Sequence, residues 1–81
     1  MRKEELQYLV RHGREIEFNY DGKSFSITYF ENDHKSYISF CEFYQDPIDV
    51  ETFEELIQIH YKGVGLMDML ESITENDIWI Y

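Results

Sequence analysis

The chain has 81 residues but only one cysteine, one proline, four glycines and seven basic residues. Cys41 is alone, so there is no internal disulfide and a reducing, cytoplasmic setting is expected. A single proline, Pro47, leaves no Pro-rich linker. No apolar run approaches the roughly 20 residues of a membrane span, and the segment MRKEELQYLV lacks the apolar stretch of a signal peptide. Seven Lys and Arg stand against seventeen Asp and Glu, a net charge of −10. Nucleic-acid affinity and anionic-membrane affinity both need clustered cations, so direct binding to either is not expected. The three histidines fall on separate segments, and neither a CxxC pair nor an Asp-x-Asp-x-Asp-Gly loop occurs. No metal or other cofactor is expected.

What is present suits one small globular domain over residues 1–81. Apolar residues make up 43% of the chain and aromatics 17%, enough for a core and too many for a disordered segment. The charge is uneven: residues 1–14 carry +2, residues 15–41 carry −3 and residues 42–81 carry −9. An acidic surface keeps a protein soluble and also steers a basic partner.

The tract from Glu15 to Phe30, EIEFNYDGKSFSITYF, reads as two alternating strands around Asp21-Gly22. Asp-Gly accepts the positive φ angles of a two-residue hairpin turn. Tyr20 then faces Lys23, Phe18 faces Phe25 and Ile16 faces Ile27, all on one side of the sheet. A third strand is expected from Ser36 to Tyr44. Its preferred register sets Ile38 against Ile27, Phe40 against Phe25 and Glu42 against Lys23, giving the carboxylate a charge partner. The alternative sets Glu42 against Phe25 on the core face, where a charge is costly. The preferred register makes the reverse side a hydroxyl-rich face, pairing Ser26 with Ser39 and Ser24 with Cys41.

Leu6, Leu9 and Val10 form a one-sided stripe that predicts a helix over Lys3–His12, closed by Gly13. Thr52-Phe53-Glu54-Glu55 has the form of a capping box and predicts a helix from Phe53 to about Tyr61. Leu66, Met69, Leu70 and Ile73 predict another over Leu66–Ser72, and Asp77–Tyr81 reads as a terminal strand. The expected fold is α+β in the order α-β-β-β-α-α-β: a three-stranded antiparallel meander plus a C-terminal strand, with the helices packed on its apolar face.

Chemical motifs are sparse. Cys41 and His34 lie several strand positions apart, too far for a nucleophile–base pair. Glu54 with Glu55, and Asp68 with Glu71, sit where helix dipoles and solubility favour acids in any case. Gly63-Val64-Gly65 before a helix could cradle a phosphate, but GxG alone is a common turn. Tyr29, Phe30, Tyr37, Phe43, Tyr44, Trp79 and Tyr81 are too many to bury in so small a core, so some are expected to form an exposed contact patch.

IEFNYDGKSFSITY, ISFCEF at 38–43, TFEELI at 52–57 and DIWIY at 77–81 together resemble small single-domain proteins of Firmicutes-type bacteria found near mobile elements. The resemblance implies a bacterial cytosolic accessory protein and brings no functional residue with it. The expected function is that of a non-enzymatic, acidic interaction or regulatory module binding a basic protein. Asp49, Glu51, Glu54, Glu55, Asp68 and Glu71 would steer that partner, and Trp79 and Tyr81 would anchor it. An inhibitor or DNA-mimic is the sharper form of this reading. The alternative is a small-molecule or peptide binder using Ser24, Ser26, Ser39 and Cys41.

Overall fold

The computed structural model describes residues 1–81. Its elements are α1 (Lys3–Arg11), β1 (Ile16–Tyr20), β2 (Lys23–Asn32), β3 (Lys35–Glu42), β4 (Ile48–Val50), α2 (Phe53–Ile57), β5 (His60–Tyr61), β6 (Val64–Gly65), α3 (Leu66–Ser72), a single 3-10 turn (Glu75–Asp77) and β7 (Ile78–Ile80). Five strands form one antiparallel sheet in the order β4-β3-β2-β1-β7, and β5 and β6 make a separate small hairpin. The fold is α+β, with the meander β1-β2-β3 at its centre.

Local chemistry explains the first elements. The N–H of Gly13 donates to Val10 and that of Arg14 to Leu9, which closes α1 as Gly13 turns to a φ of 64°. Asp21 and Gly22 have φ of 52° and 75°, and the β1–β2 register is the one the hairpin turn predicts. The same two-residue turn recurs at Asp33-His34 and at Lys62-Gly63.

The β2–β3 register differs from the preferred expectation. Glu42 faces Phe25, Phe40 faces Ile27 and Ile38 faces Tyr29. Ser26 therefore pairs with Cys41 and Thr28 with Ser39, whereas Ser24 with Cys41 and Ser26 with Ser39 were expected. The side chains keep their faces because the shift is by two residues. Glu42 is tolerated beside the core because Tyr61 donates its hydroxyl hydrogen to it and Lys62 lies 3.6 Å away. Both partners come from the β5–β6 hairpin, in a stretch where the helical spacing of Phe53, Leu56, Ile57 and His60 predicted helix as far as Tyr61. The helix instead stops at Ile57, Ile59 enters the core and His60 is exposed. In the Gly63-Val64-Gly65 segment, Gly63 belongs to the turn after β5 and Val64-Gly65 is β6, which runs straight into α3. Strand β4, just after Pro47, was not anticipated.

Helices α1, α2 and α3 cover one face of the sheet. Leu6, Leu9, Leu56, Leu66, Met69 and Leu70 join Ile16, Phe18, Phe25, Ile27, Ile38 and Phe40 in a single buried cluster. The rings of Phe18 and Phe25 stack with centroids 5.2 Å apart, those of Phe25 and Phe40 5.6 Å apart, and Tyr61 meets both Phe25 and Phe40 edge-on. The capping box of α2 forms as expected: Thr52 Oγ1 accepts from the Glu55 N–H and Glu55 Oε1 accepts from the Thr52 N–H, each at 3.1 Å.

Candidate functional site

Strand alternation sends the second set of side chains to the face that the helices leave open. Trp79, Glu17, Ser26 and Cys41 form one row across β7, β1, β2 and β3. Thr28, Ser39 and Asp49 form the next row, across β2, β3 and β4. Phe30 and Tyr37 close the far end with stacked rings 5.0 Å apart. The centre is thus a floor of small hydroxyl and thiol side chains. Larger groups stand around it: Trp79 is 45% exposed and Tyr81 60%, while Tyr44, in the loop after β3, is 98% exposed at a φ of 69°.

Two side chains of this face are held by hydrogen bonds within the chain. Ser24 donates to Asn19 Oδ1 at 2.9 Å, and the Cys41 thiol donates to the carbonyls of Glu42 and Gln45 at 3.0 and 3.1 Å. His34 is in the turn at the other end of the β2–β3 hairpin from Cys41. The four cavities of the molecule are lined by other residues, and none of them includes Ser24, Ser26, Ser39 or Cys41. No concavity of the kind that holds a ligand opens among these side chains.

Its electrostatics are acidic. Glu17 and Asp49 stand on the face itself, and its one lysine, Lys35, lies 3.7 Å from Glu51. The Tyr81 phenol is pushed above its ordinary pKa of 10.0, first by desolvation and then by the Glu17 carboxylate beside it. The predicted acids divide between two layers. Asp49 is on the open face at the β4 edge and Glu51 just beyond it. Glu54 and Glu55 are in the first turn of α2, and Asp68 and Glu71 are on α3, so these four belong to the helical layer. Glu55 is occupied by its cap, accepting from the N–H groups of Glu51 and Thr52 at 3.1 Å. Trp79 and Tyr81 share the open face with Ser26, Ser39 and Cys41. The two residue sets expected for rival functions, aromatic anchors and hydroxyl floor, therefore occupy one surface.

Of the aromatics expected to compete for burial, Phe30, Tyr44, Trp79 and Tyr81 are exposed, while Tyr29, Tyr37 and Phe43 are half-buried. Tyr29 donates to the Arg14 carbonyl at 2.9 Å, and burial together with Glu15 pushes its pKa up to about 12. Two exposed groups escaped the sequence reading. Tyr8 lies off the Leu6-Leu9-Val10 stripe of α1, which was a legible signal. Ile80 is 44% exposed because its strand lies at the edge of the sheet, which no local pattern reveals.

The Glu42–Tyr61–Lys62 cluster is the other concentration of polar chemistry. The Tyr61 hydroxyl, followed by Lys62 and Lys23, holds the Glu42 carboxyl below its ordinary value, and Glu42 in turn pushes Tyr61 up to about 12. The adjoining cavity is about 150 Å³, lined by Tyr20, Asp21, Lys23, Phe25, Tyr61 and Lys62 among others. That is below the size of ordinary ligand pockets, so the cluster is read as the device that seats Glu42 beside the core. No helix is long and apolar enough to cross a membrane. Comparison with family models, curated proteins and solved structures finds no match to this chain.

Proposed function

We propose that this chain is a non-enzymatic interaction module of the cytoplasm that docks a basic protein on the open face of its sheet. One observation carries the reading: a helix-free face with a floor of small hydroxyl and thiol side chains and no cavity in it, exposed Trp79 and Tyr81, and the carboxylates of Glu17 and Asp49, neither of which has a Lys or Arg partner. Aromatic side chains around a floor of small groups supply the anchors of a protein contact. The carboxylates favour a partner surface rich in Lys and Arg and repel an acidic one. Small-molecule binding is the weaker reading, because no cavity opens at Ser24, Ser26, Ser39 or Cys41.

A photo-crosslinking residue at Ser26, and separately at Glu71, tests the assignment in lysate of the source organism. The Ser26 probe is expected to capture a basic protein, with yield falling as salt rises from about 50 to 300 mM across the screening range. Affinity for that protein, once purified, is expected to fall at least about tenfold in Trp79→Ala, as for an interface anchor. Capture from Glu71 alone would transfer the function to the acids of the helical layer. A salt-indifferent adduct would remove charge from the mechanism.

A further inference from the structure

The backbone edge of β7 is a separate surface from the open face, and it is self-complementary. The Tyr81 N–H donates to the Glu15 carbonyl at 2.9 Å, and Trp79 pairs with Glu17, so these two residues direct their backbone groups at β1. By strand alternation the carbonyls of Ile78 and Ile80 and the N–H of Ile80 point away from the sheet. No strand of the chain pairs with them. Strand β7 reads Ile-Trp-Ile, with no proline and no charge, and Trp79, Ile80 and Tyr81 are three consecutive exposed apolar side chains. Exposed edges of this kind template the addition of another strand.

The charges along the edge are arranged head to tail. Beside the start of β7 stand Glu75 and Asp77, and Glu5 of α1 lines the same hollow as Ile78 and Ile80. Beside its end stands Arg14, whose Nε–H donates to the Tyr81 carbonyl, next to Glu15, whose backbone carbonyl accepts from the Tyr81 N–H. Carboxylates cluster at the start of the strand and the one cation, Arg14, stands at its end, with Tyr8 and Trp79 between them. A two-fold rotation about an axis through Trp79 brings Asp77 of each copy toward Arg14 of the other.

We propose that the partner of the β7 edge is a second copy of this chain, joined by antiparallel β7–β7 pairing into one continuous sheet. In this register the Ile80 N–H of each copy donates to the Ile78 carbonyl of the other. Asp77 comes to lie opposite Tyr81 of the other copy, the residue whose carbonyl holds Arg14. The contact is isologous and closes at two subunits. It leaves the open faces side by side, so docking of a basic protein does not depend on it.

The test is the molar mass of the purified protein, by light scattering and sedimentation across micromolar concentrations. A species of twice the chain mass is expected. Ile80→Pro removes only the outward N–H and keeps the bond of Tyr81 to Glu15, because proline is accepted on the free side of an edge strand. It is expected to weaken dimerisation at least about tenfold while the circular dichroism spectrum is retained. Arg14→Glu and Asp77→Arg are each expected to weaken the dimer, and the two together to restore it. A protein that is monomeric at every concentration would overturn the proposal. So would a dimer indifferent to Ile80→Pro, or a double charge variant that fails to recover.

Discussion

The two edges of the sheet have the same length and opposite chemistry. Strands β4 and β7 are three residues each. β4 follows Pro47, carries Asp49 at its centre, and runs into Glu51, which is paired with Lys35. Proline and charge are the usual means of keeping a sheet edge from pairing with another chain. β7 has no proline and no charge within the strand, Asp77 directly before it being its nearest carboxylate, and it sets Trp79 and Ile80 in solvent. Because length is equal, length does not explain the difference. One edge is built to stay closed and the other is left able to pair.

The largest way to break this comparison is to remove the platform under the guarded edge. Phe40 is fully buried, pairs with Ile48 of β4 and stacks on Phe25. Phe40→Ala is expected to cost about 3–5 kcal/mol, a large share of the stability of so small a domain, seen as an early denaturant midpoint. Trp79→Ala, at the open edge, should leave that midpoint within about 1 kcal/mol of wild type, because Trp79 contributes little to the core.

An intermediate effect comes through pH. Glu42 titrates below its ordinary value of 4.5 in the folded chain, so its contribution is present above that pH and is lost as pH falls toward the depressed value. Tyr29 and Tyr61 are raised from 10.0 to about 12, so their contribution is complete below pH 10.0 and is lost as pH rises toward 12. Tyr61→Phe takes away the hydroxyl that lowers Glu42, and should flatten the acid limb of a stability–pH curve. An unchanged acid limb in that variant would show that Lys62 and Lys23 alone hold the carboxylate.

The smallest effect sharpens the guarded edge. Thr52 caps α2 directly after β4. Thr52→Ala is expected to cost about 1 kcal/mol, with hydrogen-exchange protection lost first in β4 and α2 and retained in β7. Equal loss at both edges would mean that the sheet opens as one unit.

These contrasts also separate what was legible in the chain from what was not. Asp21-Gly22 set the β1–β2 register because a two-residue turn and an alternating pattern are both local and agree. Thr52 and Glu55 announced α2 for the same reason, their bonds spanning three residues. The preferred register of the third strand was two residues off, and the alternative with Glu42 against Phe25 holds, because the partner of Glu42 is Tyr61, 19 residues away in sequence. The apolar spacing through His60 imitated a helix that Lys62-Gly63 converts into a hairpin once Tyr61 can rest on Phe25 and Phe40. At the surface, Trp79 and the set Ser24, Ser26, Ser39 and Cys41 were correctly assigned to strands, whereas the strand that carries Asp49 was not foreseen. Their union on one face required the order β3-β2-β1-β7.

Period-2 alternation, one strong turn, one capping box and an excess of carboxylates settle the α+β class, the central hairpin and the acidic surface, since each acts over a few residues or over composition alone. The position of β7 beside β1, the seating of Glu42, and the contrast between a guarded and an unguarded edge depend on contacts between distant segments. Those contacts form only when the helices bury one face of the sheet and leave the other, with its aromatic rim, to solvent.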